Sequence, residues 1–325
     1  SLNSTIQTHT FIFEGLMRRK DKIMLQRTFS LVAAAVVVTV MAVSANAQPA
    51  GTPVLWLDTS DASTIEDSAG VNPGVGGFDS TNIQIFRDKS SSGYVLQGGV
   101  GTGNKGDDTN PDLNGAGQNG LDTLQFRNLD GLQASGLTGN LPTGSSSRRV
   151  FFAGMPVTES GTINGYFNYG GGGGGQWNNM FFYDSAGSGP YKNYMAGRSN
   201  DHVSDAQVSK NTPVIVEWEY DGPNNSGQWY VNGVAAGSAT AGNGSALSTT
   251  GDDVRVGRER NQTGAADFFE LIVYDEGTNG SVDRDATGSY LANKWNIATS
   301  YVPEPSSFLL LMLGTAALLF RRKTE

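Results

Sequence analysis

Residues 214–236 read VIVEWEYDGPNNSGQWYVNGVAA, and this stretch decides the fold class. Val214–Tyr220 is rich in β-branched and aromatic residues, which predicts a strand. Two further strands, Gln228–Val231 and Val234–Ala236, flank the dipeptide Asn232-Gly233. Because Asn-Gly is the strongest short signal for a type I′ turn, the stretch predicts antiparallel β-structure.

Similar short runs, separated by clusters of Gly, Asn, Asp and Ser, occur on both sides of this stretch. They predict further strands at Val54–Leu57, Ile83–Phe86, Leu121–Phe126, Val150–Met155, Met180–Tyr183, Val254–Val256 and Phe268–Tyr274. One helix is predicted over residues 282–297, with Ser281 as its N-cap. Its apolar stripe would consist of Ala286, Tyr290, Leu291 and Trp295. The sequence therefore predicts an all-β sandwich of two antiparallel sheets with one C-terminal helix, in a domain of residues 48–300.

Composition limits the chemistry that the chain can carry. The 325 residues include 44 Gly, two His and no Cys, with a net charge of −9. The absence of Cys excludes Cys-ligated zinc, iron–sulfur clusters and thiol catalysis. The excess of acidic over basic residues argues against nucleic acid as a partner, because proteins that bind nucleic acid usually carry a basic surface patch.

The N-terminus has the pattern of a secretory signal over residues 1–47, which include an upstream extension. A basic segment at Met17–Met24 precedes an apolar run at Phe29–Val43. Ala45-Asn-Ala47 then matches the small-x-small cleavage pattern, so Gln48 is the expected first residue of the mature chain. The apolar run is shorter than the roughly 20 residues that a spanning helix needs.

The C-terminus, residues 301–325, combines three features in order. Val302, Pro303, Glu304 and Pro305 are followed by the apolar run Phe308–Phe320 and then by Arg321, Arg322 and Lys323. At about 1.5 Å per residue the run spans roughly 20 Å, against a hydrocarbon core of roughly 30 Å. A helix that is barely long enough to span the membrane and is followed by basic residues suits a temporary anchor. Its basic end would lie in the cytoplasm.

This tail resembles the PEP-CTERM sorting signal, which is read by exosortase-type transpeptidases of Gram-negative bacteria. The resemblance implies cleavage near Pro303-Glu304-Pro305, secretion machinery and a transpeptidase as partners, and delivery to the cell surface, outer envelope or extracellular matrix. The membrane would hold the chain only before processing. A permanent single-span anchor is the alternative.

The middle of the chain resembles a laminin G-like, concanavalin A-type jelly roll. The resemblance rests on an ordered set of short pieces: Leu55-Trp-Leu-Asp58, Asp61-Ala-Ser63, Arg87-Asp-Lys-Ser90, Gly120–Phe126, Tyr220-Asp-Gly222, Trp229–Gly233, Val256-Gly-Arg258, Glu270–Tyr274 and Tyr290–Trp295. It implies a jelly-roll sandwich and recognition of glycans or proteins, in some members with calcium.

Acidic residues on one strand raise the question of catalysis. Glu217, Glu219 and Asp221 alternate, which places them on one strand face about 6.5–7 Å apart. Two carboxylates at such a spacing can hydrolyse glycosides. The order departs from the Glu-x-Asp-x-(x)-Glu motif of jelly-roll glucanases, so we expect a solvated strand face. His202 lies in a polar stretch and is expected in an exposed loop.

Two loops are candidates for ligand binding. Asp107, Asp108 and Asp112 offer oxygen ligands for calcium, although the segment lacks the EF-hand pattern. Trp177 and Asn178 follow the glycine run 170–175 and would present a ring and an amide to a sugar from a mobile rim. A flexible loop without a ligand is the alternative, and calcium is the one cofactor that the sequence suggests.

Three functions remain open at this point. The first is a non-catalytic surface or matrix protein that binds extracellular polysaccharide or protein, or mediates adhesion. The second is a glycoside hydrolase of concanavalin A-type fold. The third is a structural envelope protein without a specific ligand.

Overall fold

A computed structural model describes residues 48–99, 109–127, 130–134, 141–157, 163–171, 177–183, 191–196, 201–239, 246–250, 253–259, 262–263 and 265–301. The chain divides into two compact units, Ser1–Gln48 and Pro49–Glu325. All strands and helices given below belong to the second unit.

The second unit is built almost entirely from β-strands. In chain order these are β1 Leu55–Asp58, β2 Ile65–Asp67, β3 Ile83–Arg87, β4 Val95–Gly98, β5 Asp112–Asn114, β6 Thr123–Phe126, β7 Leu132–Ala134, β8 Arg148–Pro156, β9 Ile163–Gly170, β10 Trp177–Tyr183, β11 Tyr191–Ala196, β12 His202–Val208, β13 Val214–Asp221, β14 Ser226–Val231, β15 Val234–Ala239, β16 Val254–Val256, β17 Arg258–Glu259, β18 Gln262–Thr263 and β19 Ala266–Asp275. Two 3₁₀ turns lie at Ala62–Thr64 and Gln118–Gly120, and two α-helices follow β19: α1 Glu276–Asn279 and α2 Arg284–Trp295.

The strands form two large antiparallel sheets, which confirms the predicted all-β sandwich. The eight-stranded sheet has the order β15-β14-β13-β8-β19-β6-β5, and β1 joins β19 beside β6. The nine-stranded sheet has the order β12-β11-β10-β9-β16-β7-β4-β3-β2. Strands β17 and β18 form a separate pair.

Strands β8, β13 and β19 lie in the middle of the eight-stranded sheet and are buried on both faces. One face carries Val150, Phe152 and Val216 into the main core between the sheets. The opposite face carries Phe151 and Ile215 into a second apolar cluster under α2. Burial on both sides explains why these strands read as nearly continuous apolar runs rather than as alternating ones.

The hairpin turn has the predicted geometry. Asn232 and Gly233 have φ angles of 50° and 82°, and a type I′ turn requires positive values at both positions. The Asn232 side-chain oxygen accepts a hydrogen bond from the backbone N–H of Ile215 at 2.8 Å. The turn is therefore also hydrogen-bonded to β13, the strand next to β14.

The predicted helix exists, but its N-terminus differs from the prediction. α2 begins at Arg284, and the Asp283 carboxylate caps it by accepting from the Ala286 N–H at 2.9 Å. Ser281 is therefore not the cap, because the helix starts two residues later than the apolar pattern suggests. Tyr290, Leu291 and Trp295 are buried as expected, whereas Ala286 is only half-buried.

Candidate functional site

A row of polar side chains crosses four neighbouring strands of the nine-stranded sheet. Asn168 on β9 pairs in register with Arg255 on β16, Arg255 with Gln133 on β7, and Gln133 with Gln97 on β4. The flanking residues on these strands, such as Val254 and Val256, belong to the main core. Because successive side chains alternate between faces, this polar row lies on the face that points away from the core.

Asp253 organises the middle of the polar row. Its Oδ2 atom accepts from the Gln133 amide at 2.9 Å and from the Arg255 guanidinium at 3.2 Å. Gln133 and Arg255 are each 9% exposed, whereas Gln97 is exposed. The row thus combines three amides, those of Asn168, Gln133 and Gln97, with the Arg255 guanidinium. Asn168 is fully buried, and the row opens toward solvent at Gln97. Such groups donate and accept hydrogen bonds in fixed planar directions.

Beyond the row, the same face carries one apolar residue and then an ion pair. Next to Gln97 in register is Ile85 on β3, which pairs with Glu66 on β2. Glu66 forms an ion pair of 2.7 Å with Arg87, and both side chains are partly exposed. Groups of both charge signs and neutral amides therefore line one sheet face, so the face suits a ligand that both donates and accepts hydrogen bonds.

The predicted carboxylates of β13 do share one face, but Glu217 is fully buried. Its Oε1 atom accepts from the Arg149 guanidinium. Its Oε2 atom accepts from Arg284 and from the Tyr301 hydroxyl, each at 3.0 Å. Burial raises the pKa of Glu217, while the two guanidinium groups act to lower it. Both oxygens are already occupied by protein donors.

The other two carboxylates of this strand are also engaged. Glu219 forms a 2.9 Å ion pair with Arg149 and accepts from the Tyr230 hydroxyl at 3.3 Å. Asp221 accepts from the Asn224 amide at 2.6 Å, within the turn that follows the strand. The expectation of a solvated face is wrong for Glu217, because Arg149, Arg284 and Tyr301 cover it.

Four of the short motifs of the jelly-roll resemblance meet in one buried cluster around Glu270. The Glu270 carboxylate accepts from the indole N–H groups of Trp56 at 2.6 Å and Trp295 at 2.9 Å, and from the Tyr290 hydroxyl at 2.7 Å. Lys294 donates to Glu270 at 2.8 Å. We call this cluster, together with Asp58 and Lys89, the Glu270 clasp.

Asp58 is the last residue of β1 and joins the clasp to that strand. It accepts from Lys294 at 2.6 Å and from Lys89 at 2.8 Å. Burial acts to raise the pKa of Asp58, but the two ammonium groups outweigh it and hold this pKa below its usual value. Burial, assisted by the nearby Asp58 charge, raises the pKa of Glu270, and Lys294 opposes it. The clasp thus ties α2 to β1 and β19.

The two residues proposed for sugar binding are placed on a strand. Trp177 begins β10, and its side chain lies outside the description. Asn178 is fully buried opposite Tyr169, and within the described part of the chain its amide has no hydrogen-bond partner. Asn178 is therefore not on an exposed rim, because it faces the inside of the sandwich. Its role in ligand binding stays a prediction.

The remaining predicted sites fall mostly outside the described residues. This applies to Asp107 and Asp108, whereas Asp112 is exposed at the start of β5. Among the described residues, no group of three or more His, Cys, Asp or Glu side chains is placed to hold a metal ion. Calcium binding stays a prediction.

His202 is the first residue of β12, so its expected placement in a loop is wrong.

The two ends of the chain carry the sorting predictions. Ala45, Ala47 and the sorting residues Val302–Pro305 and Arg321–Lys323 lie outside the described residues, and Gln48 is exposed. Within the described residues, no helix has the length and apolar character to cross a membrane.

Comparison with known proteins identifies the tail. Residues 302–323 match the PEP-CTERM protein-sorting motif. The chain therefore carries a signal for export and envelope association in bacteria, with processing by exosortase. No curated protein matches the chain in sequence.

The sandwich itself is similar to solved β-sandwich structures. A mutant GH54 α-L-arabinofuranosidase soaked with 4-nitrophenyl α-L-arabinofuranoside is 13% identical with a TM-score of 0.52, and an arabinofuranosidase complexed with arabinofuranosyl-α-1,2-xylobiose is 14% identical with a TM-score of 0.50. In each case the match covers 78% of this chain and 60% of the enzyme. The binding domain of botulinum neurotoxin serotype D is 11% identical, with a TM-score of 0.45, over 74% of this chain and 50% of the other. The two arabinofuranosidase matches show a shared fold.

Sequence reasoning missed the polar row. Its signal is present locally, since Leu132-Gln133-Ala134 and Val254-Arg255-Val256 each place a polar residue between two apolar ones. That alternation predicts a strand with one polar face. It does not say which strands are neighbours, and only the observed register brings these side chains together.

Proposed function

We propose that the protein is a non-catalytic cell-surface or extracellular-matrix protein that binds polysaccharide through the polar row. The observation that carries the proposal is the alignment of Gln97, Gln133 and Arg255 on the outer face of the nine-stranded sheet. Export by the sorting motif gives this face access to extracellular glycans.

The chemistry of the row matches that of a glycan. Sugar hydroxyls donate and accept hydrogen bonds, and amide, guanidinium and carboxylate side chains meet both needs. Asp253 fixes Gln133 and Arg255 in place, so little side-chain freedom is lost when a ligand binds. A laminin G-like role in adhesion belongs to the same proposal.

A glycoside hydrolase is the second candidate. It is supported by Glu217 and Glu219 on one strand face and by a fold shared with arabinofuranosidases. Hydrolysis needs one protonated carboxyl group and one ionised carboxylate on either side of the scissile bond. Both Glu217 oxygens already accept hydrogen bonds from Arg149, Arg284 or Tyr301, which argues against their contact with a substrate. We therefore favour binding without turnover.

The polar row is tested by substitution at its exposed and central positions. The full chain is titrated with a panel of β-glucans, galactans, arabinans and alginates. We expect saturable binding that Gln97→Ala and Gln133→Ala each weaken by about three- to tenfold, the value of one or two hydrogen bonds. Gln228→Ala on β14 of the other sheet is the matched control and should bind like wild type. Saturable binding that both row variants leave unchanged would refute the site.

A further inference from the structure

A cleft of about 420 Å³ lies beside the C-terminal end of α2. Ser289 and Asn293 line it from the helix, and Asn296, Ile297, Thr299 and Tyr301 line it from the segment that follows. Binding sites for small ligands start at about 300 Å³. The cleft belongs to the side of the eight-stranded sheet that α2 covers, whereas the polar row lies on the outer face of the other sheet.

Apart from the Tyr301 hydroxyl, which donates to Glu217, the polar side chains of the cleft are not used by the fold. The Ser289 hydroxyl is buried, at 8% exposure of the residue, and has no hydrogen-bond partner among the described residues. A buried hydroxyl without a partner is unfavourable. Asn293 and Asn296 are exposed, and Thr299 is half-buried. Their side chains donate and accept hydrogen bonds, so they are available to a ligand.

Among the described residues, no charged side chain lines the cleft. The adjacent Lys294 turns its ammonium group to Asp58 and Glu270, away from the cleft. A charged ligand would therefore lose its hydration without gaining an ion pair, which is unfavourable. The apolar surface of Ile297 and the ring of Tyr301 complete the walls. Hydroxyl and amide groups beside apolar surface suit a neutral sugar, which has hydroxyls at its rim and C–H groups on its faces.

The walls are held rigidly. Gln118 and Asn119 donate to the carbonyl oxygens of Trp295 and Lys294, each at 2.8 Å, and fix the helix end. The Ser300 N–H donates to the Asn232 carbonyl at 2.8 Å. The Tyr301 hydroxyl donates to buried Glu217. A preformed site loses little conformational freedom when a ligand binds.

We propose that this cleft is a binding site for a neutral sugar unit, with Ser289 and Asn293 as hydrogen-bonding residues. The ligand class follows from the walls of the cleft, so the proposal does not depend on the polar row. A protein with sugar sites on both outer sides of its sandwich can bridge two polysaccharide chains.

The test uses saturation-transfer NMR on the full chain with methyl glucoside, methyl galactoside, arabinose and glucuronate as probes. We expect saturable binding of at least one neutral sugar and weaker binding of glucuronate. Ser289→Ala and Asn293→Leu should each weaken binding about three- to tenfold. Ser281→Ala, an exposed serine outside the cleft, should bind like wild type.

Two further measurements separate this site from the fold and from the polar row. Ser289→Ala should leave the free energy of unfolding unchanged or higher, because it removes a hydroxyl that has no partner. Gln97→Ala should leave cleft binding unchanged. The proposal is overturned if no neutral sugar binds saturably, or if Ser289→Ala and Asn293→Leu both bind like wild type.

Discussion

Asp58 binds two lysines that are far apart in the sequence, Lys89 and Lys294. The contact with Lys294 joins the first strand to the last helix. Asp58 and Glu270 are neighbours in the clasp. Each of these two carboxylates accepts from cationic or N–H donors, which buried charges require. The clasp residues, which belong to four of the motifs that carry the jelly-roll resemblance, thus stabilise the fold.

The lowered pKa of Asp58 predicts how stability depends on pH. Its folded pKa lies below the unfolded value of about 3.9, so its ionised form stabilises the folded state above that pH. This contribution is lost as the pH falls through the folded pKa. Asp58→Asn should therefore cost stability at about pH 6, and its difference from wild type should shrink toward about pH 3.

The measurement is urea unfolding of wild type and Asp58→Asn at both pH values. Asp112→Asn, at an exposed position on β5, is the control and should differ little from wild type at either pH. An Asp58→Asn difference that stays constant between the two pH values would contradict the assigned role of the ion pairs.

Helix α2 is the element that covers the outer face of the eight-stranded sheet. Trp295 is fully buried at its last position, and its ring stacks on Phe269 with centroids 5.1 Å apart. Its indole N–H donates to Glu270 at 2.9 Å. One side chain therefore provides both apolar packing and a hydrogen bond to the clasp.

Trp295→Ala should lower the free energy of unfolding by about 3–5 kcal/mol, because it leaves a large cavity and removes a donor from a buried carboxylate. Urea unfolding measures this loss. Asn293→Ala, on the exposed side of the same helix, should cost less than about 1 kcal/mol. A loss below about 1 kcal/mol for Trp295→Ala would mean that the helix contributes little to the fold.

The sequence predicts the strands that are apolar on both faces better than the others. Val214–Tyr220 and Phe268–Tyr274 fall on β13 and β19, because strands buried on both sides need continuous apolar sequence. Strands β9 and β12, with the sequences INGYFNYG and HVSDAQV, give a weak signal, since polar and small residues interrupt them. A bulge in the pairing of β9 with β10 also interrupts the alternation of side chains between the two faces of the sheet. The polar row depends on such strands, so it could not be located from sequence.

At the scale of the whole molecule, the sorting motif follows directly after the folded unit. Tyr301 is buried, and the motif begins at residue 302. We predict that exosortase removes the tail while the sandwich stays folded, because the clasp and the core lie entirely upstream of the motif. Intact-mass measurement of protein extracted from the cell surface tests this. Protein that still contains Arg321–Lys323 would contradict removal of the tail.

Binding of polysaccharide without cleavage can be tested in a single experiment: the full chain is incubated with the polysaccharide panel, and bound protein and newly formed reducing ends are counted in the same samples. We expect saturable binding with no increase in reducing ends. Release of reducing ends that disappears in both Glu217→Gln and Glu219→Gln would contradict this expectation and identify the protein as a glycoside hydrolase.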